Sequence, residues 1–252
     1  MSFKDKVVVV TGSSSGIGAS AAIEFAKEGA HVVIVGRNET KLENVREKCE
    51  EYGKNPLVIK ADVSKDADCK RIVDETIEKF GRIDVLVNNA GFSEIVDITS
   101  ESFMEIYDRI VNVNLRAVVY ITHKAIPHLI KSKGNIINIS SVGGTNTLGI
   151  PDFIPYKVSK AGLNHFTRCA ALKLASHGVR VNTISPGPVR TDFINRPTLK
   201  SFTKEKLAEM TALKRISDPE EIADLILFLA SEKARGITGS NYVSDNGILI
   251  LN

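Results

Sequence analysis

Short apolar runs recur along the chain and alternate with longer segments whose hydrophobic residues return every three or four positions. A run that is apolar at every position is typical of a strand buried on both faces. The wider spacing is typical of a helix that buries one face. Strand and helix signals in alternation predict a parallel sheet with helices packed on both sides.

The apolar runs predict seven strands, at residues 6–11, 31–36, 56–62, 83–91, 134–140, 178–185 and 240–247. Helical patterns begin near residue 16 and cover 38–53, 65–80, much of 100–132, the region after 155, and the capped segment 218–232. No linker, low-complexity tract or repeat divides the chain. The prediction is one doubly wound α/β domain, Rossmann-like in class, over residues 1–252.

Length and charge are compatible with that single domain. The 252 residues are too few for two large α/β domains, and the net charge of +3 comes without any run of five like charges. We therefore predict no nucleic-acid partner. The first residues, MSFKDKVVVV, carry charge and only a short apolar run, which predicts a cytoplasmic protein without a membrane span.

Cysteine and histidine patterns give no sign of a metal. The cysteines, Cys49, Cys69 and Cys169, lie in helical stretches without CxxC spacing, which favours reduced thiols over disulfides or ligands. The five histidines form no HExxH or paired pattern, so we expect structural or surface roles for them.

Parallel sheets bind ligands beyond the carboxyl ends of their strands, and the first strand ends in TGSSSGIG. Gly12 permits a sharp turn, Gly16 leaves room for a pyrophosphate, and Gly18 allows close helix–sheet packing. The helix that follows offers free N–H groups to phosphates. A glycine-rich turn without a ligand is the alternative, but three glycines and three serines in eight residues favour a dinucleotide.

A tyrosine and a lysine, Tyr156 and Lys160, are four residues apart on a predicted helix and therefore share one face. Alone, this spacing fits an ordinary surface pair as well as an acid with a cation beside it. Other motifs come before and after it in a fixed order: NNAG at 88–91, Asn114 in NVNL, Ser141 in ISSVGG and PGPVRT at 186–191.

With TGxxxGxG in place of GxGxxG, these motifs make the chain similar to the short-chain dehydrogenase/reductases, in their single-domain form, over nearly its whole length. The resemblance implies an oxidoreductase that moves a hydride between a nicotinamide cofactor and a carbonyl or alcohol. It implies Tyr156 as the acid/base, Lys160 as its activator, Ser141 as the group that orients the carbonyl and Asn114 as the holder of a water. Ser140 is the rival of Ser141, and Asn112 is the rival of Asn114.

Simple electrostatics agrees with the role implied for Tyr156. A free tyrosine has a pKa of ~10, too high for base catalysis near neutrality. A cation about 4 Å away at an effective dielectric of ~20 contributes on the order of 4 kcal/mol, enough to lower the pKa by up to about three pH units. We therefore expect Lys160 to lower the pKa of Tyr156.

The resemblance also implies a set of cofactor-binding residues: Thr11, Gly12, Ser14, Ser15, Gly16, Ile17, Gly18, Arg37, Asn38, Asp62, Val63, Asn89, Ala90, Gly91, Tyr156, Lys160, Pro186, Gly187, Val189 and Thr191. Asp62 and Thr191 have an alternative role as helix N-caps. NAD-preferring members carry an acid at the position of Gly36, whereas Arg37 suits a 2′-phosphate. NADP(H) is therefore favoured over NAD(H), although Ser15 replaces the basic residue of many NADP members.

Three segments are expected to line a substrate pocket, 93–98, 142–155 and 192–213, with a lid over about 190–214. Their candidate lining residues are Glu94, Ile95, Val96, Leu148, Ile150, Asp152, Phe153, Ile154, Phe193 and Ile194. Ser141 lies fifteen residues before Tyr156, about two more than is common in the family, and the extra length falls in 143–155 on the substrate side.

The mostly apolar lining predicts a neutral, fairly apolar ketone or secondary alcohol, such as a steroid, a terpenoid or a xenobiotic carbonyl. A 3-oxoacyl thioester reductase and a non-catalytic nucleotide-sensing scaffold are the alternatives. The C-terminal SNYVSDNG departs from the family's frequent Asp-Gly-Gly ending, in a region that relatives use for assembly. A homotetramer is the resulting prediction, with a dimer as the alternative.

Overall fold

The computed structural model describes residues 3–192 and 203–251. In these ranges, seven parallel strands form one sheet in the order β3-β2-β1-β4-β5-β6-β7. The strands are β1 Val7–Thr11, β2 His31–Gly36, β3 Leu57–Lys60, β4 Val85–Asn88, β5 Asn135–Ile139, β6 Arg180–Pro186 and β7 Asn241–Ser244. The doubly wound α/β fold predicted from the sequence is confirmed.

The third and fourth strands are shorter than their apolar runs. Residues 61–62 and 89–91 continue past the last sheet pairing, and both stretches line a cavity at the carboxyl edge of the sheet. The sequence pattern marks where an apolar run begins, but it does not show at which residue the hydrogen-bonded pairing ends.

Helices alternate with the strands along the chain, as the sequence predicts. They are α1 Gly16–Lys27, α2 Glu39–Glu50, α3 Asp66–Phe80, α4 Phe103–Val111, α5 Ala117–Ser132, α6 Ile154–Leu174, α7 Lys204–Glu209 and α8 Pro219–Ala230. A π-helical turn, Asn112–Arg116, joins α4 to α5. Helix α8 begins with the capping box that its sequence predicts, formed by Asp218 and Glu221.

Helices cover both faces of the sheet, which explains why the strands show no polar alternation. Val8 and Val10 of β1 belong to a core layer with α1, α2 and α8. Val7 and Val9 point to the opposite layer, formed with α3, α5 and α6. Since successive strand residues face opposite sides, every position of β1 is buried.

The strand order reverses between β1 and β4, because the chain crosses to one side of β1 for β2 and β3 and to the other side for β4. The loops that leave these two strands diverge and create a crevice at their carboxyl ends. In the described parts of the chain, no helix has the length and apolar character required to cross a membrane.

Candidate active site

The glycine turn after β1 is packed against the loop after β4. A Cβ on Gly12 would lie 2.8 Å from the Cα of Ala90, and one on Gly18 would lie 2.4 Å from the carbonyl oxygen of Gly12. The amide of Asn89 donates to the carbonyls of Thr11 (3.0 Å) and Gly12 (3.1 Å). The turn therefore depends on backbone contacts that only glycine permits at these positions.

The start of α1 is shaped to receive an anion. Ser15 occupies its N-cap position without a side-chain capping hydrogen bond, and Ser15, Gly16 and Ile17 line the cavity. Gly16 has φ +56°, and a Cβ there would lie 2.8 Å from Cγ2 of Thr191. The backbone of Gly16 is open on this side because no Cβ fits between it and Thr191. Together with the free N–H groups in the first turn of α1, this opening fits a dinucleotide pyrophosphate.

The end of β2 forms the far side of the same cavity. Arg37 is exposed and lines it, as does Ser14. A Cβ on Gly36 would lie 3.3 Å from Oγ of Ser14, so a larger side chain would crowd this corner. Asn38 does not line the cavity, because its side chain caps α2 by accepting the N–H of Lys41 at 2.9 Å.

Asp62 and Val63 line the cavity after β3. The Asp62 carboxylate accepts the N–H of Ser64 at 3.0 Å, but the N-cap position of α3 belongs to Lys65. The alternative N-cap role for Asp62 is therefore wrong. Thr191 donates to the carbonyl of Val189 at 3.4 Å and lines the cavity.

The predicted catalytic side chains meet where β5 ends and α6 begins. The hydroxyls of Ser141 and Tyr156 are hydrogen-bonded to each other. One helical turn along, Nζ of Lys160 lies 5.7 Å from the centroid of the Tyr156 ring and donates to the carbonyl of Ile139 at 2.8 Å. Ser140 is instead buried and donates to the Lys160 carbonyl at 3.2 Å, so the geometry favours Ser141 over its rival.

Burial dominates the electrostatics of this group. It lowers the pKa of Lys160, which is only 4% exposed, to about 8. It also raises the pKa of Tyr156, and the hydrogen bond with Ser141 offsets part of that rise. The expected lowering of the Tyr156 pKa by Lys160 is not observed, because desolvation of the phenolate outweighs the other interactions.

Asn114 lies in the π-helical turn, behind the loop that follows β4. Its buried amide accepts the N–H of Phe92 at 2.9 Å and donates to the Phe92 carbonyl (2.8 Å) and to Oγ of Ser159 (3.1 Å). Its rival Asn112 donates to the Ser64 carbonyl at 3.0 Å. Asn114 thus joins the β4 loop to α6, and its water-holding role stays a prediction.

One cavity of about 410 Å³ brings most of the predicted residues together. The predicted cofactor and catalytic residues that line it are Gly12, Ser14, Ser15, Gly16, Ile17, Arg37, Asp62, Val63, Asn89, Ala90, Gly91, Ser141, Tyr156, Lys160, Pro186, Gly187, Val189 and Thr191. Thr11, Gly18, Asn38 and Asn114 do not line it. Thr11, Gly18 and Asn114 support its walls, since their contacts are with the turn and loops that do.

The substrate end agrees with the sequence in part. Leu148, Ile150 and Phe153 line the cavity, whereas Glu94, Ile95, Val96, Asp152 and Ile154 do not. Glu94 is paired with Arg109 at 2.5 Å, on the outside of this region. Phe193 and Ile194 lie outside the described residues.

Some lining residues were not predicted individually. Leu207 and Met210 come from α7 and the residue after it, Ile248 follows β7, and Lys157 follows Tyr156. The only sequence signal for Lys157 was its place beside the tyrosine. Ile248 had none, because its C-terminal segment indicated assembly instead.

Comparisons with known proteins agree with this geometry. A family model described as enoyl-(acyl carrier protein) reductase matches residues 12–249. Cyclohexanol dehydrogenase of Acinetobacter sp. strain SE19 is 33% identical over 244 residues, covering 96% of this chain and 94% of the relative. The 3-oxoacyl-(acyl-carrier-protein) reductase of Thermotoga maritima is 36% identical over 256 residues, covering 99% of this chain and 100% of the relative.

A solved structure extends the agreement to three dimensions. The 3-ketoacyl-(acyl-carrier-protein) reductase of Brucella melitensis, crystallised with NADH, is 34% identical and has a TM-score of 0.88, with 98% of this chain and 99% of that chain covered. This chain belongs to the short-chain dehydrogenase/reductase family. It is an oxidoreductase of that family, whose members bind a nicotinamide cofactor.

Proposed function

We propose that this protein is an NADP(H)-dependent enzyme that interconverts a ketone and a secondary alcohol on a fairly apolar small molecule. One observation carries the proposal. The hydrogen-bonded hydroxyls of Ser141 and Tyr156 face the same cavity as the glycine turn between β1 and α1. A proton donor and a dinucleotide cradle in one space are what carbonyl reduction requires.

The residues divide the work along the cavity. The turn at Gly12–Gly18 holds the pyrophosphate, and Lys160 binds ribose hydroxyls. When bound, the nicotinamide supplies or accepts the hydride. Tyr156 transfers its proton to the carbonyl oxygen while Ser141 donates a hydrogen bond, and both interactions strengthen as that oxygen gains charge. The raised pKa keeps Tyr156 protonated near neutral pH, so it starts as the acid of a reduction.

The end of β2 supports NADP(H). Arg37 places an exposed guanidinium at the cavity, and Gly36 brings no carboxylate to repel a 2′-phosphate. The Brucella relative was crystallised with NADH, which makes NADH the necessary comparison in any assay.

The substrate end supports an apolar ketone, because its lining includes Leu148, Ile150, Phe153, Met210 and Ile248. A 3-oxoacyl thioester is the second candidate, favoured by the names of the Thermotoga and Brucella relatives. A non-catalytic nucleotide-sensing scaffold is less well supported, since it has no need of the paired hydroxyls.

Assembly and location complete the proposal. Val243, Ile250 and Leu251 are exposed on and after β7, an edge strand of the sheet, and the apolar surface there supports a homotetramer or, failing that, a dimer. A lid over about 190–214 is also proposed; its residues 190–192 and 203–214, with α7, belong to the described part of the chain. The cytoplasmic location and the lack of a nucleic-acid partner stay predictions.

Absorbance at the nicotinamide band tests the function directly. The pure protein would meet cyclic and aromatic ketones, 3-oxoacyl thioesters and enoyl thioesters, with NADPH and NADH in parallel. We expect NADPH consumption with an apolar ketone. Tyr156→Phe should lower kcat by about 10³-fold, the loss typical of a missing general acid, without weakening cofactor binding. Tyr52→Phe is the control, because Tyr52 is exposed on the surface.

Preference for a thioester would move the substrate to the second candidate. If neither nucleotide binds and no substrate consumes cofactor, the proposed function is wrong.

A further inference from the structure

A lysine that the proposed chemistry does not use lies directly beside Tyr156. Lys157 is half-buried, lines the cavity and directs its ammonium to the loop that precedes α6. It donates a hydrogen bond to the carbonyl of Thr147 at 2.6 Å and another to the carbonyl of Ile150. Both acceptors belong to one turn, Thr147–Ile150.

The turn has an unusual backbone. The N–H of Ile150 donates to the Thr147 carbonyl at 3.2 Å, which closes the turn. Its central residues, Leu148 and Gly149, have φ values of +53° and +63°, the signs of a type I′ turn. Leucine rarely adopts positive φ, so the surroundings must hold Leu148 in place.

Two side chains supply that support. Oδ1 of Asn146 accepts the N–H of Leu148 at 2.7 Å. The Lys157 ammonium bridges the carbonyls at the two ends of the turn, and its charge strengthens both hydrogen bonds. Its aliphatic stem passes Gly143, where an added Cβ would lie 3.5 Å from Cγ of Lys157. The lysine therefore links the turn to the segment after Ser141.

The turn forms part of the substrate end of the cavity. Leu148 and Ile150 line it together with Phe153, whose ring meets the ring of Tyr156 edge-on at 6.2 Å between centroids. The turn and Tyr156 therefore line the same cavity.

We propose that Lys157 is a positioning residue that clamps the turn Thr147–Ile150 by its end carbonyls and so determines which substrates fit beside Tyr156. The clamp stands on these contacts alone. Its effect on substrate choice rests on the proposed function. Two experiments separate these parts.

Amide hydrogen exchange in the full-length protein without substrate tests the clamp. Lys157→Met keeps the stem and removes the donors. Exchange at Leu148 and Ile150 should become at least about tenfold faster, because the turn opens more often without its charged donor. Lys157→Arg should restore slow exchange, since a guanidinium also donates to two carbonyls. Lys173→Met, an exposed lysine of the same helix, should leave both amides unchanged.

Steady-state kinetics on ketones of increasing size tests the effect on specificity. In Lys157→Met, KM for the larger apolar ketones should rise about tenfold, while kcat and the KM of the smallest ketone stay within about twofold, as for loss of binding alone. Arginine at this position should restore the KM values.

The outcomes are separable. Unchanged exchange in Lys157→Met overturns the clamp. Faster exchange with an equal change of KM across all ketones, or with a fall in kcat alone, overturns the role in specificity. A wild-type protein that reduces no substrate defeats the proposed function, while the exchange result still decides the clamp.

Discussion

Two turns with left-handed backbone line the cavity, one in the part assigned to the cofactor and one in the part assigned to the substrate, and they are held in different ways. In the glycine turn, Gly12 and Gly16 have positive φ values. The backbone of Ala90 leaves no room for a side chain at Gly12, and the side chain of Thr191 leaves none at Gly16. In the turn Thr147–Ile150, Leu148 has a positive φ value, and hydrogen bonds with the side chains of Asn146 and Lys157 hold the turn. The conformation of the glycine turn therefore depends on residues that lack a Cβ. The conformation of the turn Thr147–Ile150 depends on hydrogen bonds made by neighbouring side chains.

The two turns should differ in how well they tolerate substitutions. A side chain at Gly12 or Gly18 would collide with backbone atoms, which cannot shift without disturbing the loops that carry them. A substitution around Leu148 alters contacts that other side chains can replace. We therefore expect the substrate end to tolerate more change than the glycine turn. The two relatives named above differ in the substrate that their names give, cyclohexanol in one and a 3-oxoacyl carrier protein in the other.

Lys160 belongs to neither turn. Because its ammonium is buried, the free energy of unfolding of the protein should depend on pH. Its pKa is about 8 in the fold and near 10.5 ordinarily. Between pH 8 and pH 10.5 the unfolded chain binds more protons than the folded chain, so the free energy of unfolding rises with pH. Below pH 8 Lys160 is charged in both states, and the full cost of burying that charge lowers the stability of the fold. Relative to Lys160→Met, the wild type should gain about 3 kcal/mol from pH 7.5 to pH 10.5.

Urea unfolding of both proteins at several pH values measures this difference, since all other titrating groups are shared. Parallel curves for the two proteins would show that Lys160 carries no buried charge, and the pKa argument would fail.

Alanine at three glycines compares the two ends directly. Gly18→Ala should lower the free energy of unfolding by about 2 kcal/mol or more, because its Cβ overlaps the Gly12 carbonyl. Gly149→Ala should cost about 1 kcal/mol, since its φ is +63° but its Cβ would meet no atom within 4 Å. Gly236→Ala, with neither constraint, should change stability by less than about 0.5 kcal/mol.

Chemical unfolding gives these values, and a nicotinamide cofactor titration adds a second reading in which only Gly18→Ala loses affinity. If Gly149→Ala is as costly as Gly18→Ala, the two turns are equally constrained and the comparison is wrong.

The smallest expected effect concerns the choice of dinucleotide. Arg37→Met should weaken NADPH binding about tenfold, the cost of one charge-assisted contact at an exposed site, and leave NADH binding unchanged. Fluorescence titration with both cofactors checks this. Lys65→Met serves as the control, because Lys65 follows β3 nearby and does not line the cavity. If Arg37→Met weakens the binding of both nucleotides equally, Arg37 does not contact the 2′-phosphate.

Much of the fold could be predicted because burial repeats along the chain in a regular way. Every residue of β1 and the four central residues of β2 are buried between two helical layers, so hydrophobicity alone marks these strands. The ends of β3 and β4 could not be located in this way, because the chain continues past the last paired residues into loops that line the cavity, and the sequence pattern does not show where pairing stops. The π-helical turn at Asn114 had no local signal, since nothing in the sequence NVNLR distinguishes a π-helical turn from an α-helical one.

The sequence by itself determined the sheet, the glycine turn and the common helix face of Tyr156 and Lys160. Each depends on short-range spacing: strand period, positions that exclude a Cβ, and four residues along a helix. Tertiary structure alone decided the raised pKa of Tyr156, the Lys157 contacts and the place of Ile248 at the cavity. The pKa depends on exclusion of water and the place of Ile248 on packing between distant segments. The Lys157 contacts depend on the shape of the loop before α6, which no regular spacing in the sequence encodes.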